Sequence, residues 1–238
     1  MNESRHFAII VAAGKGLRMG AKAKKQYLYL DKIPILARTI MAFDTCDQLH
    51  EIILVIPKED EKYCKTHIID PYGFTKKIHL IAGGDQRQDS VLTGLKFIGD
   101  KSNQDCEAIV MIHDGVRPFV NQNMIKDSIR TAIEYGACIP AVKITHTVKK
   151  VLGGSVIQKT IDRENLYMAQ TPQTFKLDLI LRAVEHAVKT SFSGTDDASL
   201  VENLGHKVMI IQGSELNIKI TTPEDLVLGK YLLTLKLS

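Results

Sequence analysis

The sequence predicts an α/β fold, a mostly parallel sheet flanked by helices on both faces, and three observations lead there. Apolar runs of strand length recur along the chain, helix-period segments fall between them, and glycine-rich clusters follow directly on three of the runs. The runs are continuous rather than alternating, as in strands covered on both faces.

In chain order, the candidate strands are residues 7–12, 51–56, 78–82, 108–113, 138–142 and 207–211. Between them, residues 34–43 carry Ile35, Leu36, Ile40 and Phe43 at helical spacing, and residues 90–98 carry Val91, Leu92, Leu95 and Ile98. Two helix starts are legible from their chemistry. Thr195 precedes Asp196 and Asp197, and Thr222 precedes Pro223, Glu224 and Asp225, a cap residue followed by proline and acids. The last helix should run to about residue 235. Residues 147–162 carry β-branched side chains on both sides of Gly153 and Gly154, which predicts a hairpin with a two-residue turn. A lone hairpin is barely stable in water, so Val148, Val151, Val156 and Ile161 need a surface to lie against. An arm embracing a second copy would supply it; the alternative is a hairpin folded onto its own domain.

Length and composition bound the rest. A chain of 238 residues with 45% hydrophobic content is expected to form a single domain spanning residues 1–238. The net charge of +4, spread among charges of both signs, argues against general nucleic-acid binding and favours a local anionic substrate. Cys46, Cys64, Cys106 and Cys138 are far apart with no CxxC pair, so they read as reduced thiols rather than a zinc or disulfide framework. No apolar stretch approaches the roughly 18 residues needed to cross a bilayer. With no signal or transit segment recognisable at its start, the chain is expected to be cytoplasmic.

The first glycine cluster carries the most chemistry. The apolar run to Ala12 and Ala13 opens into Gly14, Lys15, Gly16, Leu17, Arg18, Met19 and Gly20, then Lys25, Gln26 and Tyr27. Bare backbone N–H groups and three cations at one strand end suit a polyphosphate, which makes a nucleotide the first ligand to consider. The glycine spacing matches neither a Walker loop nor a dinucleotide fingerprint. A second cluster, Gly83-Gly84-Asp85 through Ser90, permits close approach to the backbone and offers an acceptor and a hydroxyl at a helix start. The third, His113-Asp114-Gly115-Val116-Arg117-Pro118, again ends an apolar run. Ligands of open α/β sheets gather at such ends. Asp114 suits Mg²⁺, which takes one or two carboxylates and completes its shell with phosphate oxygens and water; an ion pair with Arg117 is the alternative. Asp162-Arg163 with Gln170-Thr171-Pro172-Gln173, and Asn217-Ile218-Lys219, form the last two groups.

These five groups, in this order and over nearly the whole chain, resemble the 2-C-methyl-D-erythritol 4-phosphate cytidylyltransferases of isoprenoid precursor synthesis. The resemblance implies a Rossmann-like nucleotidyltransferase fold with a protruding β-hairpin arm, residues 142–165, that forms a homodimer. It implies that Ala12, Ala13, Gly14, Gly84, Asp85, Ser90 and Gly115 hold the cytidine of CTP, and that Lys15, Gly16 and Arg18 embrace its triphosphate. Arg18, Lys25 and Lys219 would be catalytic and Asp114 would serve Mg²⁺. Arg117 and Thr171, with Thr147 and Arg163 across the interface, would bind the polyol phosphate. Two positions depart from the family pattern: Lys24 stands where proline is common, which predicts a looser loop, and His146 stands where aspartate is common. Ribitol 5-phosphate cytidylyltransferases share the nucleotide motifs and give the alternative acceptor. Molybdopterin guanylyltransferases share the opening, and a nucleotide sensor could keep the loop without turnover.

Overall fold

The computed structural model describes residues 5–14, 24–101 and 107–235. The first glycine cluster beyond Gly14, with Lys15, Gly16 and Arg18, therefore lies outside the described residues, as does Cys106.

All six apolar runs form strands. β1 (His6–Val11) is followed by the small hairpin β2 (Tyr29–Leu30) and β3 (Ile33–Pro34), then α1 (Ile35–Asp44), β4 (Glu51–Ile56) and the short α2 (Glu61–Cys64). β5 (Lys77–Ala82), α3 (Arg87–Lys101), β6 (Ile109–Asp114), α4 (Gln122–Tyr135) and β7 (Ala137–Lys143) continue the alternation. After the hairpin β8 (Val148–Leu152) and β9 (Val156–Ile161) come β10 (Tyr167–Ala169), β11 (Gln173–Lys176), α5 (Leu177–Lys189), α6 (Asp197–Asn203), β12 (Met209–Gln212) and α7 (Pro223–Thr234).

β5, β4, β1 and β6 lie side by side and parallel. β11 runs antiparallel between β6 and β7, and β10 continues along the same edge of β7. β12 is parallel to β7 on its opposite edge, since Cys138 pairs with both Thr174 and Met209. The sequence reading missed β10 and β11. Both are short; β10 is exposed, and in β11 Gln173 and Thr174 are polar yet buried, so no apolar run announces either.

Alternation along the strands sends successive side chains to opposite faces. Phe7, Ile9, Ile53 and Val55 pack with Val91, Leu95 and Ile98 of α3 and Ile180 and Val184 of α5. Ala8, Ile10, Ile52 and Leu54 pack with Leu36, Ile40 and Phe43 of α1 and Met124 and Ile125 of α4. Both faces are thus covered, and truncating Phe7 or Phe43, each fully buried, should cost about 3–5 kcal/mol.

Two local expectations are corrected. The arm's turn has three residues, Gly153 to Ser155, because the glycines at φ +49° and +96° are followed by one further residue before Val156, with a bulge at Lys150 and Val151. The cap of α6 is Asp196, not Thr195: its carboxylate accepts from the Ser199 N–H, and the Ser199 hydroxyl faces back to the Asp196 N–H in a capping box. Lys24, which stands where proline is common in the family, is held at its side chain. Its ammonium lies 2.9 Å from Glu59 and 2.8 Å from Asp60, and Asp60 also accepts from the Tyr27 hydroxyl at 2.8 Å. Thr222 caps α7 as expected, with Asp225 completing the box. Among the described residues no helix is long and apolar enough to cross a membrane. Cys46, Cys64 and Cys138 are free and buried.

Candidate active site

The chain passes from β1 outward to β4 and β5, then returns to place β6 on the other side of β1, so the strand order reverses between β1 and β6. A crevice at the carboxyl ends of the strands is the consequence of such a reversal. Asp114, last residue of β6, stands there in register with Val11 of β1.

One cleft opens beside it. Its walls are Ala12, Ala13, Gly14, Lys25, Gly84, Asp85, Ser90, Asp114 and Lys219, with Val11, Gln26, Gln86, Arg87 and Val116. Nine sequence-selected residues thus meet in one place. Gln26 was quoted in the motif without a role; it is buried, and its amide donates to the carbonyls of Ala12 (2.8 Å) and Gly14 (3.3 Å), tying the loop after β1 to the Lys25 segment. Ser90 shapes the second loop: its hydroxyl accepts from the Gly84 N–H at 3.2 Å and donates to the Gln86 carbonyl at 3.2 Å. A Cβ on Gly83 would fall 2.5 Å from the Ala13 Cβ, so the loops after β1 and β5 approach as closely as they do only because that position lacks a side chain; one on Gly84 would fall 2.4 Å from the Asp89 Cβ, so the turn from β5 into α3 closes only around glycine. Gly115 does not line the cleft; it packs beneath, where a Cβ would meet Ala12 and Leu36 at 3.0 Å.

A second, more polar cleft adjoins the first. Arg117, Ala169, Gln170, Thr171, Gln173, Thr195 and Asp196 line it, and it shares Arg87, Asp114 and Lys219 with the first. The shared wall is a charge cluster. Lys219 Nζ lies 2.8 Å from Asp114 Oδ2, while Arg117 Nε and Arg87 Nε lie 3.4 Å from Oδ2 and Oδ1. Burial opposes ionisation of Asp114, but the Arg87 and Lys219 charges, with Arg117, outweigh it and hold the carboxyl well below the usual carboxylate range. Arg87 turns its fork the other way, onto both oxygens of Asp197 at 2.9 and 2.8 Å.

Behind the wall lies a relay of neutral groups. The Asp114 N–H donates to the Thr171 hydroxyl at 3.2 Å, and that hydroxyl lies 3.0 Å from His113 Nδ1. His113 Nε2 lies 3.0 Å from the Arg117 carbonyl. The Thr171 hydroxyl thus helps to hold the end of β6 while the residue lines the second cleft. Segment 217–220 is docked by Arg117 Nη1 on the Asn217 carbonyl (2.8 Å), the Asn217 amide on the Thr171 carbonyl (2.9 Å) and the Ile220 N–H on the Val116 carbonyl (2.9 Å). That docking is what delivers Lys219.

Thr147 and Arg163 stand elsewhere. Both are exposed at the foot of the β8–β9 arm, where Arg163 donates to the Thr145 carbonyl beside a separate cleft of Lys143, Ile144, Thr145, Asp162, Arg163 and Glu164. Within one chain they do not join Asp114. His146 is likewise exposed there. Sequence reasoning gave Arg87 no role and read Asp197 only as part of a helix start; the two are 110 residues apart, and no local pattern announces their pairing.

The carboxylates of the site limit how a divalent cation can be held. Among the described residues no three His, Cys, Asp or Glu side chains converge on one point. A single ionised carboxylate at the lip of the first cleft fits Mg²⁺ that arrives with phosphate oxygens and keeps its waters, and does not fit a cation held by protein alone.

Comparison with known proteins bears on the same region. A family model described as 2-C-methyl-D-erythritol 4-phosphate cytidylyltransferase (IspD) matches residues 6–235. A 2-C-methyl-D-erythritol 4-phosphate cytidylyltransferase of Alkaliphilus oremlandii is 47% identical over 232 residues, 98% of this chain and 96% of the relative. One of Geotalea uraniireducens is 45% identical over 95% of each chain. The crystal structure of a 4-diphosphocytidyl-2C-methyl-D-erythritol synthase from Anaerococcus prevotii superposes with a TM-score of 0.83 at 33% identity, covering 97% of this chain and 96% of that one.

Proposed function

Since the chain belongs to the 2-C-methyl-D-erythritol 4-phosphate cytidylyltransferase family, we propose that its two adjoining clefts take CTP and the polyol phosphate, with Lys25, Lys219 and Asp114 acting between them. The activity is transfer of CMP from CTP to 2-C-methyl-D-erythritol 4-phosphate, giving 4-diphosphocytidyl-2-C-methyl-D-erythritol and pyrophosphate, in isoprenoid precursor synthesis. The relatives carry this acceptor in their names, which leaves ribitol 5-phosphate disfavoured.

The observation that supports the two-cleft reading is the shared wall of Asp114, Arg87 and Lys219. A phosphate monoester has its second pKa near about 6 and is largely a dianion at neutral pH, so its oxygen attacks the α-phosphorus without a general base. A new P–O bond forms to the acceptor as the bond to the β-phosphate bridge breaks, and pyrophosphate carries the electron pair away. The chain's task is to let two anions meet and to neutralise the charge that builds on the α-phosphate. Lys219 and Lys25 do this from the walls of the first cleft, and Arg18, with Lys15 and Gly16, is assigned to the departing phosphates. Ala12, Ala13, Gly14, Gly84, Asp85 and Ser90 seat the nucleoside. Mg²⁺ held by Asp114 and by phosphate oxygens would supply further screening of the triphosphate.

The acceptor's own phosphate needs cations of its own. Arg117 lies in the second cleft, and Thr147 and Arg163 are assigned to a neighbouring subunit's acceptor, reached by the arm of residues 142–165 within one nucleotidyltransferase domain. Support for this dimer comes from the arm's strands, which among the described residues pair only with each other and expose Val151, Leu152, Val156 and Ile157. The buried free thiols are in keeping with a cytoplasmic enzyme. Incubating the purified protein with CTP, with and without Mg²⁺, and with methylerythritol 4-phosphate or ribitol 5-phosphate, tests the reading. The expected result is pyrophosphate release only with Mg²⁺ and the methylerythritol acceptor; turnover in chelator at the full rate would remove the metal from it.

A further inference from the structure

Asp197 is almost fully buried at the first position of α6, lines neither cleft, and spends both carboxylate oxygens on Arg87. Its backbone is pinned as well. Gln173 of β11 accepts from the Ala198 N–H at 2.9 Å and donates to Asp196 at 2.8 Å, fastening the start of α6 to the sheet beside β6.

The geometry points to Asp197 as a positioning residue for CMP transfer, acting through Arg87 on Asp114. The inference rests on the assignment of Asp114 and Lys219 above and adds what keeps Asp114 in place while Lys219 works. At rest, Lys219 is the nearest partner of Asp114, and its side chain is 40% exposed. When the ammonium turns to a phosphate, the carboxylate loses its shortest contact. Arg117 is a poor substitute anchor, because it is bonded to the Asn217 carbonyl and so shares the fate of the segment that carries Lys219. Arg87 alone among the three cations is fastened independently of that segment, by a bidentate pair that fixes a planar fork in both position and tilt. Its Nε–H then points to Asp114 Oδ1, 3.4 Å away. The line from β11 through α6, Asp197 and Arg87 to the end of β6 is thus a brace across the floor of both clefts.

The test compares purified full-length Asp197→Asn, Arg87→Lys and Asp114→Asn with wild type, by steady-state kinetics and thermal melting. A displacement of about 1 Å at a reacting centre costs on the order of 10² fold in rate, so Asp197→Asn should lower kcat by about that factor, per folded molecule, while KM for CTP stays within about threefold. Arg87→Lys keeps a cation for Asp197 but cannot span both carboxylates, and should show the same loss in kcat with melting nearly unchanged. It carries the test alone if Asp197→Asn does not fold. A folded Asp197→Asn or Arg87→Lys with wild-type kcat, or a fall in melting temperature with turnover per folded molecule intact, would overturn the inference. If instead Asp114→Asn turns over at the wild-type rate, it is the underlying site assignment that fails.

Discussion

The Thr171 hydroxyl donates to Nδ1 of His113 across 3.0 Å, and this direction is forced. The other ring nitrogen faces the Arg117 carbonyl, which can only accept, so Nε2 carries the proton and Nδ1 must receive. Thr171 is then free to accept from the Asp114 N–H. A single neutral tautomer of one buried ring therefore fixes three residues of the site.

The first prediction concerns pH. Burial lowers the His113 pKa from 6.5 to about 4, against the favourable contributions of the Arg117 carbonyl and Asp114. The unfolded chain then binds more protons than the folded one between those values, so stability is full above about pH 6.5 and is lost as the pH falls towards 4. By that linkage His113 alone should remove about 2 kcal/mol between pH 7 and pH 5. Urea titrations at the two pH values check this, and His113→Gln, although less stable at pH 7, should lose much less on acidification. An unchanged loss in the variant would assign the slope elsewhere. Glu51, held near about 2 because Lys101, His79 and Arg5 outweigh its burial, contributes only in the lower window, from about pH 4.5 downwards.

Lys25→Ala and Lys219→Ala should each reduce kcat by roughly 10² to 10³ fold, the usual cost of removing one donor from a developing oxyanion. Rapid-quench single-turnover rates within about tenfold of wild type would refute these roles.

Lys24 gives a prediction specific to this chain. Its backbone at φ −62° and ψ 134° is already that of a proline, and its ion pairs with Glu59 and Asp60 hold the segment that carries Lys25 and Gln26. Lys24→Gly should raise KM for CTP by several fold, whereas Lys24→Pro should restore it, because either the ion pair or the ring can supply the stiffness. The ion pairs themselves are partly exposed and should add no more than about 1 kcal/mol to stability. Equal KM values for all three chains would show that the segment is held by Gln26 and Tyr27 alone.

The arm can be tested by charge. Leu152 and Val156 are 61% and 65% exposed and face each other across the turn, so Leu152→Lys with Val156→Glu gives an opposite-charge pair that leaves the isolated hairpin almost unaffected. If the arm grips a second copy, sedimentation should shift to the monomer and KM for the acceptor should rise far more than KM for CTP. A variant that stays dimeric would move the interface to another surface.

What was legible in the sequence followed from chemistry that repeats locally. Continuous apolar runs such as 51–56 marked strands covered on both faces, and glycines directly after Ala13 and Ala82 marked strand ends where a ligand can approach. Asp114 was legible as a charge at such an end, and Lys219 as a cation at a loop position. What escaped were relations that no window contains. Gln173 hides a strand because its amide is satisfied by Asp196 and the Ala198 N–H at the start of α6 rather than by water, and Thr174 is buried beside it. Arg87 and Asp197 find each other only once α3 and α6 are folded, and Asp196 takes the cap from Thr195 because its carboxylate, not the hydroxyl, reaches Ser199.

Asp114, Arg87 and Lys219 bound both clefts at once, so with CTP and the polyol phosphate in the two clefts as proposed, the substrates are not thermodynamic strangers. Any anion that draws Lys219 away from Asp114 alters the field in the neighbouring chamber. By reciprocity, whatever factor the nucleotide imposes on the acceptor's dissociation constant, the acceptor must impose on the nucleotide's. Cooperativity of this kind requires no movement of helices or subunits, only one ammonium choosing between two negative neighbours.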